Sequence, residues 1–249
     1  MHCIFAILIS KIIFMMKRFS TFLLIIISVF LITGCLDIQE NIFLKKDGSG
    51  RYTFTIDMSE LKTIFGGDGG TIKTSTKESK NPSDKIDSKF DEVKQELKKI
   101  EGISNITQRV DTINIIVNIG FDFKDIDALN KAVNILFKEE NQSKSLTYYS
   151  YKDNQFKRLE SASKGFLKAG FEDKNAPKNK ETATKMPLNM DGFFQTISYT
   201  TTYEFENEIK KSSNAGAIIS NKNKIILKCY PFVEDSIKRC SLTNTITLN

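Results

Sequence analysis

The chain has 249 residues and a formal charge of +6 at pH 7, with 40% apolar and 27% charged residues. These proportions suit a folded globular protein and exclude both wholesale disorder and a multi-span membrane protein. Lys11, Lys17 and Arg18 lie in an apolar N-terminal stretch without acids, so the rest of the chain carries 6 − 3 = +3, with lysines interleaved among Asp and Glu. That pattern argues against a nucleic-acid surface. His2 is the only histidine and there is no tryptophan. Beyond residue 34 the chain therefore cannot form a Ser-His-Asp or Cys-His relay, a His-ligated zinc site or a two-histidine iron site. No metal and no cofactor are expected.

Residues 1–14 contain an apolar run that an ordinary export signal lacks, so they are assigned to a start placed too early, with Met15 or Met16 as the first residue. Residues 15–34 then read as a signal peptide. Lys17-Arg18 is the cationic start, Phe19 to Phe30 the apolar segment, and Thr33-Gly34 the small residues before a cut. The apolar segment is short for a stable span of about 20 residues. Leu31-Ile32-Thr33-Gly34-Cys35 resembles the lipobox of bacterial lipoproteins. The resemblance implies cleavage between Gly34 and Cys35, a diacylglycerol on the Cys35 thiol and a palmitate-type chain on the new amine. Two or three chains, each methylene adding about 0.8 kcal/mol, make such attachment effectively permanent. The alternative is an uncleaved membrane helix ending in Gly-Cys.

Residues 35–249 are expected to form one exported α+β domain: an antiparallel sheet with two main helices packed on one face, elaborated by two long polar loops. Ile38, Ile42 and Leu44, then Tyr52, Phe54 and Ile56, alternate with polar residues around Lys46-Asp47-Gly48-Ser49-Gly50, a β-hairpin pattern. A short helix is expected to start near Asp57. Residues 66–84, nearly free of apolar side chains, are read as the first mobile loop. Ile86, Phe90, Val93, Leu97 and Ile100 lie on one helical stripe ended by Gly102. Strands follow at 103–110 and 113–119, then a helix opened by Asp125 with Ile126, Leu129, Val133 and Leu136 on its stripe.

Leu146 to Tyr151 and Phe156 to Leu159 form another hairpin pattern, whose tyrosines are either a stacking platform or half-buried cross-strand pairs. Residues 172–188 are the second polar loop. Strands are expected near 193–206, 223–230 and 242–248. Cys229 and Cys240 remain as an even pair in an exported chain, which points to a disulfide, with two free thiols as the alternative. Glu139-Glu140 and Glu204, Glu206 and Glu208 read as solvated surface rather than a catalytic carboxylate pair.

The cysteine-led strand, Lys-Asp-Gly-Ser-Gly turn and strand, together with Tyr203 to Ile209 and Asn221 to Leu227, are similar to LppM-type bacterial lipoprotein domains. The resemblance implies an envelope-attached α+β domain that contacts lipids or glycolipids. The expected function is that of a non-enzymatic lipoprotein of the cell envelope or periplasm, bound to a membrane through its lipid. The outer membrane is favoured where the cell has one. A partner protein or an amphipathic ligand would meet the open sheet face. A structural subunit of an envelope complex and a carboxylate-based hydrolase are the alternatives.

Overall fold

The computed structural model describes residues 36–59, 82–111, 113–137, 145–159, 195–233 and 240–249, with backbone alone over 82–89. The signal and lipobox positions, Glu139, Glu140, the 172–188 loop and most of the 66–84 loop lie outside these residues.

The first hairpin forms as its pattern predicts, from β1 (Leu36–Leu44) and β2 (Gly50–Asp57). In the turn Asp47 accepts from the Ser49 amide, and Gly48 has a φ of 84° that costs glycine little. A Cβ on Gly50 would lie 2.0 Å from the Phe43 carbonyl oxygen, so only glycine fits there. Helix α1 (Pro82–Leu97) starts on proline, the residue best tolerated in a first helical turn. Its start places residues 82–84 in a helix rather than in the polar loop.

β3 (Ile103–Asp111) and β4 (Ile116–Phe123) follow. Ile113, expected inside the second of these strands, sits in the connecting turn, 75% exposed. There Asp111 accepts from the Ile113 and Asn114 amides. Helix α2 (Ile126–Leu136) is capped by Asp125, whose carboxylate accepts from the Ala128 amide at 2.8 Å. The remaining strands are β5 (Tyr149–Lys152), β6 (Gln155–Arg158), β7 (Ile197–Phe205), β8 (Ile209–Ser212), β9 (Ile218–Asn221), β10 (Lys224–Cys229) and β11 (Asn244–Leu248). The short strands β8 and β9 were not legible in the sequence pattern.

The expected α+β fold is not what forms. The described residues are mostly strand, in a seven-stranded sheet of order β3-β4-β2-β1-β7-β10-β9 and a four-stranded sheet of order β5-β6-β11-β8. The large sheet is mixed rather than antiparallel, because β1 and β7 pair in parallel from Leu36↔Ile197 to Leu44↔Phe205. Strands of one period can be recognised singly. Which of them share a sheet depends on pairings between distant segments, and that is where the expectation failed.

Strict alternation gives the large sheet a buried face. Ile38, Ile42 and Leu44 of β1 point the same way as Tyr52 and Phe54 of β2, Ile119 and Phe121 of β4, and Tyr203 and Phe205 of β7. The helices reach only part of this face: α1 lies against β3 and α2, and α2 lies against β3, β4 and β5. Phe137, after α2, meets Phe54 edge-on at 5.2 Å. The small sheet covers another part, where Phe156 of β6 packs edge-on against Tyr203 and Phe205 at 5.2 and 5.5 Å. All of these side chains belong to one hydrophobic core.

Candidate functional site

One charged residue interrupts the apolar alternation of β1. Glu40, between Ile38 and Ile42, points into the core and is 0% exposed. Tyr199 and Tyr203, two and six residues along the same face of β7 from Ile197, donate to its two carboxylate oxygens at 2.9 and 2.8 Å. Arg158, the last residue of β6, approaches from the small sheet with Nη2 3.3 Å from Glu40 Oε2, both side chains fully buried. The guanidinium lies over the rings of Tyr148 and Tyr149, 5.4 and 4.8 Å from their centroids, a cation–π arrangement that is strongest where water is excluded. The cluster thus joins the two sheets through a buried charge pair inside a tyrosine cage.

The electrostatics follow from burial. Desolvation is the largest single effect on Arg158 and works against its charge, but the Glu40 carboxylate and then Tyr149, Tyr203 and Tyr199 together hold the guanidinium pKa well above its ordinary value. Burial, followed by repulsion from Glu40, pushes Tyr52, Tyr199 and Tyr203 well above the usual phenol value. Burial does the same for Tyr149. Arg158 Nε and Nη1 and the hydroxyls of Tyr52, Tyr149 and Thr201 lack a protein hydrogen-bond partner of good geometry. Tyr149 is nonetheless near enough to Tyr52 to affect its ionisation. The interior is therefore rich in donors around one acceptor group. Buried from solvent, the Glu40–Arg158 pair bridges the large and the small sheet.

The open face of the large sheet is different in kind. Register places Gln39, Thr55, Asn118 and Thr200 in one row across four strands, and Asn41, Thr53, Gly120 and Thr202 in the next. Asn118 donates to Thr55 at 2.7 Å. Charged pairs lie beyond these rows, with Arg51 2.7 Å from Asp122 and Lys224 4.0 Å from Glu204. Asp37 and Asp57 oppose each other across β1 and β2. Each has its own partners, the Ser198 hydroxyl and Gln39 for Asp37 and the Ser59 amide for Asp57.

Cys229 and Cys240 form a disulfide spanning 11 positions, with Cα atoms 5.6 Å apart. Cys229 is buried, and the bond ties the end of β10 to the segment that leads into β11. Reducing it should lower stability by about 2–3 kcal/mol through the freed loop. Urea melts with and without reductant, alongside a Cys229→Ser/Cys240→Ser variant, check this; unchanged midpoints would deny the bond a stabilising role.

Glu204, Glu206 and Glu208 are surface groups. Glu206 accepts from the Lys46 amide at 2.9 Å, and Glu208 pairs with Lys222 at 3.1 Å with both side chains largely exposed. The tyrosines of the second hairpin are core, not platform: Tyr148 and Tyr149 are buried, and Tyr149 stacks on Phe156 at 5.8 Å. The burial of Glu40 and its pairing with Arg158 were not legible in the sequence. The available signal was an acid at a strictly inward position of a strand whose neighbours are all aliphatic.

Fold and site together define an architectural class, a two-sheet β protein whose sheets are clamped by a buried Glu–Arg pair. In comparisons with known proteins, no family model matches and no curated protein matches. Among solved structures, the chain is similar to the NMR structure of the Mycobacterium tuberculosis LppM protein folded domain, at 8% identity and a TM-score of 0.39, over 87% of this chain and 91% of that one.

Proposed function

We propose that this chain is a lipid-anchored lipoprotein of a bacterial cell envelope, acting by binding a partner protein and not by catalysis. The observation that supports it best is a junction. Lys17-Arg18, the apolar run to Phe30 and Leu31-Ile32-Thr33-Gly34-Cys35 end one residue before β1, a strand in the middle of the large sheet. A cut before Cys35 would thus remove the apolar segment and leave every described strand intact. The uncharged hydroxyl and amide rows of the open face favour a hydrogen-bonding protein surface over an amphipathic ligand.

Catalysis by carboxylates has little support. Glu40 is spent on Arg158 and two tyrosines, and Asp37 and Asp57 lie on an open face rather than in a cleft. An assembly subunit is the second reading, favoured by edge strand β9, whose Ile218 is 68% exposed. Recovery of one stoichiometric partner after detergent extraction is its test.

The anchor is tested by the intact mass of membrane-extracted protein and of a Cys35→Ser variant. The wild type should begin at Cys35 with a diacylglyceryl group and remain with membranes, and the variant should keep its leader or appear unlipidated. A wild-type mass that includes residues 16–34 and no lipid would sink the reading.

A further inference from the structure

The position of the anchor in the fold implies how the domain meets its membrane, an inference that rests on the lipid-anchor reading above. Leu36, next to Cys35, is already the first residue of β1, 1% exposed and paired with Ile197. Consecutive Cα atoms are about 3.8 Å apart, so the lipid would leave the folded domain with no spacer. The rim from which β1 starts must then lie at the lipid surface.

Register identifies what else is on that rim. Asp37 pairs with Asp57 and Asp57 with Ile116, so the end of β2 and the turn between β3 and β4 are there. Cys229 pairs with Tyr199, which adds the end of β10. In the small sheet, β6 passes from Phe156, against Tyr203 and Phe205, to Arg158 at Glu40, so the chain at Leu159 continues toward the same rim.

Three separate segments of this rim expose large apolar side chains. Ile113 is 75% exposed, Leu159 41% and Tyr230 38%. The opposite rim, around Asp47 and Lys222, is polar and charged. Other exposed apolar residues lie elsewhere: Phe43 on the open face, Leu146 beside α2 through Asn134, and Ile218 and Ile219 on β9. We infer that the anchor-proximal rim is a membrane-docking surface, with Ile113, Leu159 and Tyr230 entering the interface of the bilayer that holds the lipid. Aliphatic and tyrosine side chains are favoured at that depth. Asp37, Asp57 and Asp111 lie along the same end and would oppose an anionic surface, so the occupant is a predominantly neutral one.

The test uses the full chain, processed in cells and reconstituted in phosphatidylcholine vesicles, with a single cysteine introduced at Ile113→Cys or, on the opposite rim, at Lys222→Cys. With Cys35 lipidated and Cys229 bonded to Cys240, the new thiol alone takes a polarity-sensitive fluorophore. Both sites are exposed, so neither change should disturb folding, which circular dichroism verifies. The 113 label should shift to the blue and be quenched by a lipid-borne nitroxide several-fold more than the 222 label. Lipidated protein whose two labels are quenched equally overturns the docking inference while leaving the anchor intact. Protein whose mass lacks the diacylglyceryl group overturns both.

Discussion

Replacing Arg158 with methionine is expected to cost about 3–5 kcal/mol of folding stability, because it leaves the Glu40 carboxylate buried without its cation. Globular domains have about 5–15 kcal/mol in total, so the variant should unfold at a much lower urea concentration, with circular dichroism as the readout. Glu40→Gln should be similarly harmful from the other side, stranding a guanidinium that meets no other acid in the cluster. The double change Glu40→Met/Arg158→Met separates charge from shape. Two apolar side chains of similar length need no desolvation of ions, and replacing buried pairs in this way is often neutral or stabilising. The double variant should recover most of the loss. A double variant as unstable as Arg158→Met would mean that the pair contributes attraction beyond what burial costs it. A single variant within about 0.5 kcal/mol of wild type would show that the cluster is not sealed.

The tyrosine cage should make the protein fail abruptly in alkali. Tyr52, Tyr149, Tyr199 and Tyr203 are held protonated well above the ordinary phenol value by burial, and all but Tyr149 next by Glu40. In the unfolded chain the same four groups release their protons near pH 10. Below that pH both states are protonated and stability is undiminished. Above it the unfolded state holds fewer protons, and stability falls by about 1.4 kcal/mol per pH unit for each tyrosine, or about 5 kcal/mol per unit for four. Tyrosinate absorbance from these rings should therefore appear together with loss of the far-ultraviolet signal, in one cooperative step above pH 10. Tyr199→Phe should make that step shallower. Reversible titration of every tyrosine near pH 10 with the fold intact would contradict this account.

The strands and turns were largely legible because their cause is local. Alternation in Leu36 to Leu44, the Asp47-Gly48 turn and the Asp125 cap act within a few residues. Ile113 was misplaced for an equally local reason: its β-branched alternation with Ile115 and Val117 fits a strand, but Asp111 captures the 113 and 114 amides and turns the chain there. Sheet membership was not legible. β8 and β9 are four residues each, too short to show a period.

By itself the sequence determined a Gly34-Cys35 step directly ahead of a strand pattern, the absence of imidazole beyond His2, and most of the short-range structure. Only the tertiary structure decided that β1 pairs in parallel with β7, that a second sheet closes part of the core, and that Glu40 meets Tyr203, 163 positions away, and Arg158. The reason is physical. Backbone periodicity is written residue by residue, whereas a buried charge can be tolerated only where distant segments bring its partners, so its meaning exists only once they have met.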